Sequence, residues 1–145
     1  MDNESEKVQN SVNSAVDSTA KPDSGKRIIA FIIDGLVAGA LTAVLNFIPI
    51  LGALLGSFAG LAYLLVKDGL DLDFMDGRSI GKKVMKLRPV RLDGQKMDIM
   101  SSAKRNFTFA IPFLNLFEIF KGLSDPEGRR IGDTIAETKV IEVDS

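Results

Sequence analysis

The chain has 145 residues, a length suited to one domain, and its 18 basic and 19 acidic side chains nearly cancel, which argues against a strongly basic nucleic-acid surface. It contains neither cysteine nor histidine, so disulfides, thiolate nucleophiles, Cys- or His-ligated metal centres and histidine general bases are excluded. No resident metal, no cofactor, no enzymatic activity and no nucleic-acid partner are expected.

Residues 1–26 are polar, with Asp2, Glu4, Glu6, Lys7, Asp17, Lys21 and Asp23 spread among Ser and Asn. Such a segment cannot offset the entropy of ordering itself, and it reads as a disordered tail. The apolar run starts only at Ile28, too far along the chain for a signal peptide beginning at Met1.

From Ile28 to Val66 there is a single charged side chain, Asp34. The run is about twice the ~20 residues that cross a bilayer. It must fold back, and Asn46 to Pro49 is the natural turn because Pro49 lacks a donor and biases its predecessor away from helix. The expected spans are 28–46 and 50–66. A soluble helical hairpin this apolar would need covering on all sides, and the rest of the chain offers too little apolar material to do it.

The loop 67–106 carries Lys67, Arg78, Lys82, Lys83, Lys86, Arg88, Arg91, Lys96, Lys104 and Arg105, whereas the turn between the spans carries no basic residue. The positive-inside rule therefore places this loop and the N-terminus in the cytoplasm. Alternation over Leu87 to Leu92 and the turn signal Asp93-Gly94 predict a small β-hairpin continuing into Gln95 to Ile99. The third apolar segment, about 107–121, contains Pro112, Asn115 and Glu118. It is short for a crossing and is expected to return to the cytoplasmic side. Residues 138–143 are β-prone, and 142–145 form the C-terminal end. The fold class is thus an all-α integral membrane protein: a transmembrane hairpin, a third short membrane-associated helix and a small basic loop with a β-hairpin.

Gly35 and Gly39 with Ala43, and Gly52, Gly56 and Gly60, recur every four residues. Such stripes let helix backbones approach closely. Packing within the hairpin is the favoured use, and homodimerisation the competing one. Asp34 lies about 10 Å inside the first span, where an ionised carboxylate is costly unless paired, protonated or hydrated. Arg27, two turns earlier, is its expected partner. Asp34 is either a proton- or cation-binding group or one half of a static ion pair. Gly77-Arg-Ser-Ile-Gly81-Lys82-Lys83 lacks a P-loop's spacing and its Ser or Thr, and the aspartates 68–76 lack a calcium loop's order. Both read as solvated chain near the membrane.

Taken together, Arg27-Ile-Ile-Ala-Phe-Ile-Ile-Asp34-Gly35, the Ser79-x-Gly81-Lys82 block, Arg105-Asn106, and Arg129-Arg130-Ile-Gly132-Asp133 with Thr138 and Val140 resemble the RDD family of bacterial membrane proteins over about 27–141. Glu137 stands where that family usually has a small residue. The resemblance implies a bacterial inner-membrane protein with a role in transport, exchanging a monovalent cation for a proton. Arg27, Asp34, Arg105 and Asp133 are then the candidate ion-binding residues, with Arg105 and Asp133 as a second pair near the cytoplasmic mouth. The lipid bilayer and a homo-oligomer or other membrane subunits are the expected partners. The alternative is a non-catalytic membrane scaffold or assembly partner.

Overall fold

The first helix, α1 (Ser24–Asn46), starts where the Asp23 carboxylate accepts the free Lys26 N–H at 2.7 Å, an N-cap that satisfies one orphan donor. At 1.5 Å per residue it is about 35 Å long, enough to cross a hydrocarbon core of roughly 30 Å. The computed structural model describes residues 6–7, 9–10, 12–14 and 21–143. Much of the tail expected to be disordered therefore lies outside the described residues. The described residues between Glu6 and Ser14 are helical, and Gln9 donates to the Gly94 carbonyl at 3.0 Å.

Beyond Asn46 the chain reverses through Pro49 and through Ile50, which sits at φ +72°, and enters α2 (Gly52–Val66). Gly52, Gly56 and Gly60 are all buried. A Cβ on them would meet the Leu45 carbonyl, the Thr42 carbonyl and the Thr42 hydroxyl respectively. Thr42 Oγ1 also donates to the Gly56 carbonyl at 3.0 Å. The expectation for the first stripe needs correcting, because Gly35 and Gly39 face open space. The contact face of α1 is Ala38, Thr42 and Leu45, where small side chains and a hydroxyl, rather than glycines, meet the glycines of α2.

Ser79 caps the one-turn helix α3 (Ile80–Val84), which leads into β1 (Leu87–Arg91). Asp98 caps α4 (Ile99–Asn106), accepting the Ser101 N–H at 2.6 Å, and a 3-10 turn over Phe107–Ala110 follows. Pro112 removes a donor and Phe113 takes φ +68°, so the direction changes by 116° before α5 (Leu114–Ser124). The chain closes with α6 (Ile131–Ile135) and β2 (Thr138–Glu142).

An antiparallel strand pair is present, but β1 pairs with β2 and not with Gln95–Ile99. Asp98 explains the difference: its side chain caps a helix just where the second strand was expected to form. The pairing has a further regularity. Gly77-Arg78-x-Ile80-Gly81 and Gly128-Arg129-x-Ile131-Gly132 are the same motif. Each is followed by a one-turn helix, a non-glycine residue in the left-handed region (Lys86, Glu137) and a strand. The register maps each copy onto the other. Leu87 faces Glu142 while its counterpart Thr138 faces Arg91, and the counterparts Pro89 and Val140 face each other. The flanking bonds follow suit, Leu92 N–H to Glu137 O and Val143 N–H to Lys86 O, both 2.9 Å. Residues 128–142 thus repeat the module of residues 77–91, and the two copies pair about a local two-fold.

The distribution of polarity is inverted relative to a soluble domain. Leu36, Val44, Phe58, Phe117 and Phe120 are exposed, while Asp34, Lys67, Asp68, Arg105, Glu118 and Asp133 are buried. Only 17% of the apolar window of α1 is buried, which is unlike the core helix of a soluble protein. Lys26 pairs with Glu142 and β2 with β1, so the start of α1, the basic loop and the C-terminal strand share one end of the molecule.

Because the Gly56 position abuts backbone, Gly56→Leu should lower stability by about 1–3 kcal/mol, the usual cost of overpacking, whereas Gly39→Ala should be neutral. Thermal melts of the detergent-purified variants, followed by circular dichroism, check both.

Candidate functional site: a buried charge cluster

The cluster forms where α3 and α6, the two matched one-turn helices, press against the longer helices. Gly81 comes so close to α1 that a Cβ would strike the Ala30 carbonyl. Its N–H donates to Asp34 Oδ1 at 2.8 Å. Gly132 approaches α4 in the same way, against the Arg105 carbonyl, and its N–H donates to Glu118 Oε1 at 3.0 Å. In both copies the second glycine of the motif is required by this approach, and in both its N–H reaches a buried carboxylate.

The expected pairing of Arg27 with Asp34 is not what forms. Lys67 Nζ lies 2.7 Å from Asp34 Oδ2 with both side chains buried, and Arg27 instead reaches Asp133 Oδ2 at 3.0 Å and the Gly128 carbonyl. The reason is positional: Lys67 follows the last residue of α2, packed beside α1, so its ammonium arrives at Asp34 from the neighbouring helix. Arg27, two turns below Asp34, is level with α6. Arg105 Nη2 lies 2.7 Å from Asp133 Oδ1. That contact is an ion pair by distance, since none of the buried Arg105 nitrogens makes a hydrogen bond of good geometry. Arg130 approaches Asp133 at 3.4 Å and lies over the Phe109 ring, 4.8 Å from its centroid.

Lys82 and Asp68 complete the cluster at 2.7 Å. Lys82 Nζ is also 3.3 Å from Ser79 Oγ and 4.0 Å from Asp34 Oδ2. Asp68 Oδ2 accepts from Asn106 Nδ2 at 3.2 Å. The Ser79-x-Gly81-Lys82 block and Asp68, read from sequence as solvated chain, are therefore buried. The residue types fitted a solvated loop, but α3 carries the block inward against α1. Sequence reasoning also missed Lys67, Asn106, Glu118 and Arg130 as cluster members. The recurrence of Gly-Arg-x-Ile-Gly was the available signal that 77–82 and 128–133 have matched, buried roles.

Burial pushes the Lys82 ammonium down, as do Lys67 and Arg105, and Asp68 and Asp34 only partly oppose them, leaving its pKa at about 7. For Asp68 burial acts upward, but Lys82, Arg105 and Lys67 outweigh it and hold the carboxyl well below the usual range. Asp133 is likewise depressed against its burial, by Arg105, Arg130 and Arg27. Across neutral pH Asp68 and Asp133 stay ionised and Lys82 is the group poised to lose a proton.

A lysine whose folded pKa is about 7 rather than 10.5 binds fewer protons folded than unfolded between those values, so its contribution makes stability rise with pH across that window. Melts at about pH 7 and pH 9.5 should show wild type gaining on Lys82→Met as pH rises. Asp133 behaves in the opposite region: its stabilising contribution is present above the ordinary carboxyl pKa and is lost as pH falls through the depressed one. Asp133→Asn strands Arg27 and Arg105 and should cost about 3–5 kcal/mol at neutral pH, as breaking a buried pair does.

The model of the RDD family matches residues 21–137, which contain every member of the cluster. No match is found among curated proteins or among solved structures. With the match covering most of the chain, and an exposed apolar helix long enough to cross a bilayer, the chain belongs to the RDD family and is a membrane protein.

Proposed function

We propose that this protein crosses the bacterial inner membrane as the α1–α2 hairpin, with its N-terminus in the cytoplasm, and exchanges a monovalent cation for a proton at the Lys82 position. The hairpin reading is supported by the exposed apolar faces of both helices and by the basic residues gathered at the end where α1 begins and α2 ends. The bend at 111–113 and the pairing of β1 with β2 bring the chain back to that end, so the third apolar segment enters and returns.

One observation carries the exchange reading. The Lys82 ammonium occupies a buried position where Asp68 Oδ1, Ser79 Oγ and Asp34 Oδ2 converge at 2.7, 3.3 and 4.0 Å. Carboxylate and hydroxyl oxygens are hard ligands that suit a small hard cation, and the single charge lost with the Lys82 proton matches a monovalent one. When Lys82 gives up its proton, Asp68, held ionised by its cationic neighbours, loses its nearest positive charge. A monovalent cation restores the balance, so one proton leaves for each cation that enters. Asp34 is then a wall of the site, fixed by Lys67 and Gly81, rather than the proton carrier. Arg27 and Arg105 hold Asp133 and α6 in place.

The test is cation-driven proton movement in proteoliposomes, read with a luminal pH dye while sodium or potassium is added outside. Wild type should release protons on cation addition, and Lys82→Met and Asp34→Asn should each lose most of that signal. Lys83→Met, at the exposed neighbouring position, should keep it. No flux from folded wild-type protein, or full flux from Lys82→Met, would contradict exchange and favour the scaffold role.

A further inference from the structure

A cavity open to the outside lies between α1 and α5. Ile28, Phe31, Phe109, Ile119 and Leu123 give it an apolar wall, and the Phe31 and Phe109 rings stand 5.2 Å apart. At its inner end are Glu118 and Asn115. Glu118 is fully buried, and its Oε2 has no hydrogen-bond partner; the Asn115 Oδ1 is likewise unpartnered. Both are acceptors, and buried acceptors without donors are rare enough in folded proteins to require an explanation.

The cations around the cavity are already committed. Arg27 and Arg130 hold Asp133, Lys67 holds Asp34, and Lys82 holds Asp68. Glu118 has no cation within 4.0 Å among the described residues. Arg130, whose charge Glu118 favours from further away, points its guanidinium at Asp133. The matched copy shows what is missing. Asp34 takes the Gly81 N–H on one oxygen and the Lys67 ammonium on the other, at 2.7 Å. Glu118 takes the Gly132 N–H on one oxygen and nothing on the other. Asp34 stands on the first helix of its half and Glu118 on the second, so the likeness is one of role: a buried carboxylate, pinned by the motif glycine, whose free oxygen suits an ammonium.

We infer that this cavity is a binding site for a protonated amine with an apolar body, its ammonium held by Glu118 Oε2 and Asn115 Oδ1 and its body lying against Phe31, Phe109 and Ile119. The aromatic rings add attraction for a cation, and an otherwise apolar pocket with a few fixed polar groups is the usual design of a small-molecule site. The same cavity is lined further along by Asp34, Lys67 and Lys82, but Glu118 makes no contact with Lys82, so the amine site does not depend on ion exchange there.

Calorimetric titration of the full chain in detergent tests this with 4-phenylbutylamine, 4-phenylbutanol and 4-phenylbutyrate. Wild type should bind the amine about tenfold more tightly than the alcohol, the worth of one charge-assisted hydrogen bond, and bind the carboxylate least. Glu118→Gln keeps an oxygen for the Gly132 N–H and should bring the amine down to the level of the alcohol. Leu123→Trp, which fills the cavity from its wall without touching Glu118, should abolish amine binding, and it decides the matter if Glu118→Gln fails to fold. Equal affinity for amine and alcohol, an amine preference that survives Glu118→Gln, or no amine binding at all would overturn the assignment. Tightest binding of the carboxylate would give the cavity to an anion held by Arg27 and Arg130, such as a phospholipid headgroup, and would equally overturn it.

Discussion

The contact on which the rest of this structure depends is the Asp34 carboxylate, buried in the side of α1 and held by the Lys67 ammonium and the Gly81 N–H. A carboxylate alone in an apolar helix carries a heavy desolvation cost. Two charge-assisted partners from different parts of the chain offset it, and in doing so they fix where those parts must lie. Lys67 sets the end of α2 against α1, and Gly81 sets the one-turn helix α3, with its strand, under the hairpin. Apolar packing could not do this work, because few large apolar side chains are buried and most of them face outward. In a lipid environment apolar surface gives helices little reason to associate, so the specificity has passed to charge.

The same device is used twice. Gly132 and Glu118 repeat the contact of Gly81 with Asp34, and the strands that follow pair with each other about Pro89 and Val140. The duplicated positions have diverged in charge: Lys82 in one copy corresponds to Asp133 in the other. Lys82 sits among carboxylates, and Asp133 sits among arginines. Each of the two finds partners of opposite charge on the elements around it, while the second oxygen of Glu118 is left without a partner. That asymmetry between the surroundings of two matched modules is where the chain offers room for something outside itself.

How much of this was legible in the sequence depends on the range of the forces involved. The hairpin, its turn at Pro49 and the basic end follow from local hydropathy and charge, and α1 ends at Asn46 as the pattern required. The glycines of α2 lie against the backbone and side chain of Thr42 and the carbonyl of Leu45 while those of α1 face open space, a difference the spacing does not encode because periodicity does not reveal which side of a helix meets a partner. Strand β1 is legible from its alternation. Its partner is not, since Thr138 lies far along the chain and Asp93-Gly94 offered a nearer turn. The ion pairs were the least legible part. Arg27 and Asp34 share a helix face and invite pairing, yet buried charges pair according to which elements come to rest side by side. Lys67 is brought to Asp34 by the hairpin, and Asp133 is brought to Arg27 by the strand pair. The repeated Gly-Arg-x-Ile-Gly was present in the sequence throughout, and it encodes the symmetry that makes those encounters.

The most direct measurement of this account is a pair of double-mutant cycles on folding stability in detergent, one with Asp34→Asn and Lys67→Met, the other with Asp34→Asn and Arg27→Met. A coupling above about 1 kcal/mol for Asp34 with Lys67, and close to zero for Asp34 with Arg27, is the expected result for residues that do and do not touch. Strong coupling of Asp34 to Arg27 with none to Lys67 would contradict the arrangement on which the cluster, the strand pairing and both binding positions rest.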